Sequence, residues 1–219
     1  MAARLRVISG GVPDEDPARA TAPSVLSVTL EDMRFDGAPV LGPLSLELGP
    51  TETVASTGPS GIGKSTLLRI VAGLETRYTG TVAGPDRCAM VFQDPLLLPW
   101  RTAAATLRQT AGHAKSEIAR SLAEVGLAGL ADRFPAQLSL GQQRRLALAR
   151  AFALRPSLLL MDEPFVSLDP AMAEEMLQLF ERLRATHPVA TLLVTHAEAE
   201  ASRLADRTLR LGGQPATFL

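Results

Sequence analysis

The run Gly58-Pro59-Ser60-Gly61-Ile62-Gly63-Lys64-Ser65-Thr66 constrains this chain more tightly than any other stretch. It has the form GxxxxGK[ST] and lies between Glu52-Thr53-Val54-Ala55-Ser56-Thr57, which reads as a strand, and Leu67-Leu68-Arg69-Ile70-Val71, which reads as a helix. Glycines let the backbone double back, so that successive amide N–H groups converge on one concavity with no Cβ to hold an anion away. The helix opening at Lys64 adds the positive end of its dipole. A nucleoside triphosphate suits this loop: residues 58–66 cradle the phosphates, Lys64 reaches the β and γ phosphates, and the Ser65 hydroxyl ligates Mg²⁺. The strand before the loop is less apolar than a buried parallel strand usually is, because Ser56 and Thr57 stand where aliphatic side chains are expected.

Length and charge narrow the class further. At 219 residues the chain suits one α/β domain with room for an insertion. A formal net charge of −1 and 4% aromatic residues argue against nucleic acid as a partner. No run approaches the about 18 apolar residues of a membrane span, and the first residues lack a secretory signal's apolar core, so the chain reads as soluble by itself. The sole cysteine, Cys88, sits in Cys88-Ala89-Met90-Val91-Phe92 and reads as a small buried hydrophobe, which fits a reducing cytoplasm. Residues 1–24, with Gly10-Gly11, three prolines and Asp14-Glu15-Asp16, have the composition of a disordered tail.

Period-two alternation in Leu26-Ser27-Val28-Thr29-Leu30 and Leu44-Ser45-Leu46-Glu47-Leu48 predicts antiparallel strands with one covered face, separated by turns at Gly37 and Pro39. Gly80–Ala83 and Cys88–Phe92 read as short strands, and Thr102–Leu130 as helical. Leu158–Met161 and Thr191–Thr195 read as buried strands, with a helix between them from Pro170 to Ala185. This βαβ alternation predicts a mostly parallel sheet.

Two further motifs bear on chemistry. Leu158-Leu159-Leu160-Met161-Asp162-Glu163 places two carboxylates at the end of an apolar strand, where open α/β sheets present ligand-binding groups. Asp162 can hold Mg²⁺ through water opposite Ser65, while Glu163 is placed to orient and deprotonate an attacking water. Leu138-Ser139-Leu140-Gly141-Gln142 precedes the helical run Gln143–Ala151, and Ser139 with Gln142 forms a capping box whose helix end offers amides to an anion.

In their order along the chain these motifs resemble the nucleotide-binding subunit of an ABC transporter, from about Leu26 to Leu211. The resemblance implies an α/β fold: a P-loop NTPase core with a mostly parallel sheet, an antiparallel β subdomain and a helical subdomain inserted at about residues 96–156, all in one domain spanning 25–219. It carries roles to matching positions. Gln93 in Val91-Phe92-Gln93-Asp94 is the Q-loop glutamine, counted with the catalytic and metal-binding groups. Ser139, Gly141 and Gln142 of the LSGGQ-like segment and Asp169 of Ser167-Leu168-Asp169 contact nucleotide. His196 in Val194-Thr195-His196 is the switch histidine, catalytic together with Lys64 and Glu163, and Phe35 stacks on adenine. Two positions depart from the family: Leu140 replaces the first glycine of LSGGQ, and Ala197 follows the histidine where an aspartate is usual.

The same resemblance implies ATP and Mg²⁺ as ligands and a head-to-tail dimer, a homodimer, in which each ATP is sandwiched between Lys64, Asp162 and Glu163 of one copy and Ser139 and Gly141 of the other. Closure on ATP and reopening after hydrolysis would drive separate permease subunits, contacted through Gln93 and Leu96-Leu97-Leu98-Pro99-Trp100-Arg101, at the cytoplasmic face of the membrane. A solute-binding protein would take part indirectly. The stretch Phe92 to Thr102 is similar to that of nitrate, sulfonate and taurine importers. An exporter or lipid-moving complex uses the same cassette; a soluble ABC ATPase acting on DNA or ribosomes would bring coiled coils or paired cassettes, and a P-loop kinase would lack the 138–142 motif and His196.

Overall fold

The computed structural model describes residues 5–10, 24–111 and 114–219. The chain divides into two compact units, one formed by Met1–Cys88, Ser157–Glu163 and Val189–Leu219, the other by Ala89–Pro156 and Pro164–Pro188.

The first unit contains two sheets. Its antiparallel sheet comprises β1 (Leu5–Gly10), β2 (Leu26–Phe35), β3 (Ala38–Leu41), β4 (Leu44–Leu48) and β6 (Tyr78–Pro85), in the order β1-β6-β2-β3 with β4 also on β2. The alternation seen in the sequence sets its register: Leu26 faces Leu48, Val28 faces Leu46 and Leu30 faces Leu44, so all six apolar side chains share one buried face. Pro39 lies inside β3 opposite Arg34 rather than in the turn, beside a register irregularity at Met33/Arg34 where a residue without an N–H is tolerated. Gly37, with φ of 84°, does make the turn.

Part of the expected tail is structured. Leu5–Gly10 pairs antiparallel with β6, from Leu5 opposite Pro85 to Gly10 opposite Gly80. Leu5-Arg6-Val7-Ile8 is a strand-forming run, and the glycines, prolines and acids that follow it mask it in the average composition. Residues 1–4 and 11–23 of that predicted tail lie outside the described residues.

The second sheet of this unit runs β11 (Thr217–Phe218), β10 (Arg207–Gly212), β5 (Thr53–Thr57), β9 (Ala190–Val194), β8 (Leu158–Asp162). The four strands from β10 to β8 are mutually parallel. Every residue of β5 and β9 is buried, as in a sheet covered on both faces, and this includes the polar Ser56 and Thr57. Helix α1 (Lys64–Val71) packs on β8 and β9 and buries Leu67, Leu68, Ile70 and Val71, while α6 (Glu198–Leu204) packs on β5.

The second unit is entered through β7 (Cys88–Val91) and is helical. It holds α2 (Ala103–Ala111), α3 (Lys115–Glu124), a 3₁₀ turn (Pro135–Gln137), α4 (Leu140–Ala153) and α5 (Pro170–Thr186). α4 touches the other three helices and buries Leu146 to Ala149 and Ala151 to Ala153. Phe152 of α4 meets Phe180 of α5 with ring centroids 6.3 Å apart, and Phe165 meets Phe180 at 6.5 Å. That aromatic cluster explains why Pro164–Pro188 belongs to this unit as well as residues 89–156.

Candidate nucleotide site

In the first unit, the loop from Gly58 to Gly63 joins the C-terminal end of β5 to α1. Gly63 has φ of 111°, and a Cβ there would stand 2.7 Å from Leu41 Cδ2; at Gly58, with φ of 148°, it would stand 2.6 Å from the carbonyl oxygen of Leu211. Both positions therefore require glycine. Gly63 supplies no side-chain cap to α1, and no acid occupies its first turn, so the helix start keeps its affinity for an anion. Lys64 is only 4% exposed although charged. Its Nζ donates to the carbonyls of Gly58 at 2.8 Å and Pro59 at 2.9 Å and lies 3.6 Å from Glu163 Oε1, so the loop itself holds the ammonium in place.

The acidic pair at the end of β8 divides its contacts. Ser65 Oγ donates to Asp162 Oδ1 at 2.9 Å. Burial pushes the Asp162 carboxyl above its ordinary value, opposed by that hydrogen bond and by the nearby Arg69 and Lys64 charges. Glu163 leaves the strand with φ of +46°, a left-handed conformation that costs a non-glycine residue about 1–2 kcal/mol. Its N–H still bonds Val194 O at 2.9 Å, and its Oε2 lies 3.2 Å from Nδ1 of His196. Thus Lys64, Ser65, Asp162, Glu163 and His196, scattered over 133 positions of sequence, converge at the same ends of β5, β8 and β9.

Phe35 lies at the end of β2, 45% exposed, with the Arg77 guanidinium 4.7 Å from its ring centroid. Arg77 is held by Glu75, its Nη2 3.0 Å from Oε2, and this pairing draws the Glu75 carboxyl down to about 2.

In the second unit, Ser139 caps α4 with both halves of the predicted capping box: its Oγ accepts the Gln142 N–H at 3.2 Å, and Gln142 Oε1 accepts the Ser139 N–H at 2.9 Å. Leu140 is 49% exposed and leaves the cap intact. Gly141 is buried, and a Cβ there would lie 3.3 Å from Met172 Sδ. Asp169 caps α5, accepting the N–H groups of Ala171 and Met172. Two arginines of α4 that the sequence reading passed over organise the neighbouring loops. The buried Arg144 donates to Pro164 O and Val166 O, and Arg150 donates to Leu96 O and Pro95 O, a few residues after Gln93. The segment that Arg150 holds exposes Leu96, Leu98 and Trp100, the last at 67%.

The profile of the ABC transporter family matches residues 41–166, more than half of the chain. The chain belongs to the ABC transporter family. Among curated relatives it is 40% identical over 198 residues to aliphatic sulfonates import ATP-binding protein SsuB 1 of Pseudomonas savastanoi, an alignment covering 89% of this chain and 84% of that protein. It is 44% identical over 204 residues to aliphatic sulfonates import ATP-binding protein SsuB 3 of Paraburkholderia xenovorans, covering 90% and 82%. A solved ABC transporter of metal-chelate type in an inward-facing conformation superposes with a TM-score of 0.78 at 25% identity, covering 90% of this chain and 83% of its own.

This ABC subunit is an ATP-binding ATPase of mixed α/β fold. Among the described residues, no helix is long and apolar enough to cross a membrane. The residues present fit a bound Mg²⁺: the Ser65 hydroxyl and the Asp162 carboxylate are hard oxygen donors 2.9 Å apart beside the phosphate loop. Sequence reasoning missed Thr195, Glu200 and Arg77 besides the two arginines of α4. The one available signal was spacing, since Glu200 falls four residues after His196.

Proposed function

We propose that this chain is the ATP-hydrolysing subunit of an ABC importer for a small solute of the nitrate, sulfonate or taurine type. The observation that carries the chemistry is Glu163, whose two carboxylate oxygens lie beside Lys64 and beside His196. The curated relatives' names, which are those of sulfonate import proteins, support the direction of transport and the solute class.

In this reading residues 58–66 grip the phosphates of ATP through loop amides and Lys64, and Phe35 stacks on the adenine. Ser65 and Asp162 would hold Mg²⁺, which when bound neutralises charge on the β and γ phosphates. Glu163 accepts a proton from a water that attacks the γ phosphorus in line as the bond to ADP breaks, and His196 orients that water and the transferred group. Ser139, Gly141, Gln142 and Asp169 of a second copy close over the same ATP, so two chains form a head-to-tail homodimer.

The dimer works at the cytoplasmic face of the membrane as a peripheral pair. It passes closure and reopening to permease subunits docked on Leu96, Leu98 and Trp100, and a solute-binding protein delivers cargo to those subunits. The test is ATPase activity of the purified chain against protein concentration, together with identification of what copurifies from native membranes. A specific activity that rises with concentration and recovery of membrane permease partners support the proposal. Full-rate hydrolysis independent of concentration overturns the dimer, and recovery with DNA or ribosomes overturns the transport role.

A further inference from the structure

Thr195, Ala197 and Glu200 close a hydrogen-bonded turn around the histidine that faces Glu163. β9 ends at Val194, and the Thr195 N–H donates to Ser56 O at 3.2 Å, anchoring the turn to β5. The buried Thr195 hydroxyl donates to Glu200 Oε2 at 2.5 Å and accepts the Ala197 N–H at 3.0 Å. A hydroxyl that donates and accepts at once is fixed in orientation, and it pins the backbone on the C-terminal side of His196 to a residue in the first turn of α6. His196 itself is exposed, so packing does not settle its ring. Ala197 begins α6 without a side-chain cap, its methyl offering no polar contact. Burial pushes the Glu200 carboxyl above its ordinary value, opposed by the Thr195 hydrogen bond and by the nearby His196 and reinforced by the charge of Glu163.

We propose that Glu200 is a positioning residue for ATP hydrolysis: acting through the Thr195 hydroxyl, it fixes the turn that presents His196 to Glu163, giving from four residues downstream the support that Ala197 cannot. The inference rests on the reading of His196 as a hydrolytic group, and the test separates the two.

Steady-state ATP hydrolysis by the full chain is compared for His196→Ala, Glu200→Ala, Glu200→Gln, Thr195→Val and the His196→Ala/Glu200→Ala double variant. Glu200→Ala and Thr195→Val are each expected to lower kcat about tenfold with KM for ATP within about twofold, as displacement of a reacting group does. Glu200→Gln, whose amide oxygen can accept the same hydrogen bond, recovers most of the rate, and Glu200→Ala adds no loss in the His196→Ala background. Should Glu200→Ala fail to fold, Glu200→Gln and Thr195→Val carry the comparison. Multiplying losses in the double variant, or a Thr195→Val variant with normal turnover, overturn the inference. A slow His196→Ala beside a normal Glu200→Ala overturns it alone, whereas normal turnover by His196→Ala removes the reading of the histidine and the inference with it.

Discussion

Oε2 of Glu163 lies 3.2 Å from Nδ1 of His196 while Oε1 of the same carboxylate lies 3.6 Å from Nζ of Lys64. One side chain thus connects the phosphate loop to the turn after β9, and it does so from a backbone with φ of +46°. Such strain persists only where surrounding bonds hold it, here the Glu163 N–H on Val194 O.

Glu163→Gln keeps the shape of the side chain but removes the proton acceptor. ATP binding is expected to survive, because the amides of residues 58–66 and Lys64 remain, and hydrolysis should fall by about 100-fold or more. A closed, ATP-loaded dimer should accumulate. Equilibrium binding of ATP, phosphate release and size-exclusion chromatography check the three parts, and normal turnover would remove Glu163 from the role of base.

The departure at Leu140 gives a second expectation. Its side chain is half exposed and the capping box beneath it is intact, so Leu140→Gly should cost the folded chain about 1 kcal/mol or less, the ordinary helix penalty of glycine. The obstacle it presents would be to a second copy. The ATPase rate of Leu140→Gly is therefore expected to rise; an unchanged or lower rate would mark the leucine as accommodated at that surface.

Much of this site was legible before the fold. The phosphate loop, the acids ending β8 and the Ser139 capping box are local sequence patterns; local hydrogen bonds close the loop on Lys64 and the cap on Ser139, whereas Asp162 and Glu163 find Ser65, Lys64 and His196 from far along the chain. The alternation over Leu26–Leu48 gave the antiparallel register because each side chain that faces inward is apolar. Less visible were contacts between residues far apart or of ordinary type. Arg144 and Arg150 look like the polar face of a helix, yet they grip carbonyls of loops about 20 and 54 residues away, a choice made by tertiary packing and not by spacing. Strand β1 was hidden because glycine, proline and acid dominate the residues after it.

The pairing of Glu75 with Arg77 under Phe35 makes a prediction about acid. The guanidinium hydrogen bonds favour the ionised carboxyl and depress it from 4.5 to about 2. A depressed carboxyl contributes stability that is complete above 4.5 and disappears as pH falls through about 2. A carbon-detected NMR titration should place the Glu75 midpoint near 2, and Arg77→Ala should return it towards 4.5. An unmoved midpoint in that variant would show that the backbone amides of residues 76 and 77 do the work instead.

Ser56 supplies the last test. It lies at 0% exposure in β5, where the sequence already stood out as too polar, and its Oγ has no hydrogen-bond partner among the described residues. Other buried hydroxyls of this unit differ: Thr191 of β9 satisfies its hydroxyl on Val189 O, and Thr195, just after β9, satisfies its own on Glu200. A buried hydroxyl without a partner carries its desolvation cost uncompensated, about 1–3 kcal/mol, and Ser56→Ala removes that cost while giving up only one small oxygen's packing. The variant is expected to gain about 1 kcal/mol, seen as a higher denaturant midpoint at unchanged slope. The backbone carbonyl of Ser56 keeps its bond from Thr195 N–H, so the turn carrying His196 and the ATPase rate should be untouched. A loss of stability comparable to the expected gain would mean that a bound water satisfies the hydroxyl, and that the polar residues of β5 are there to hold it.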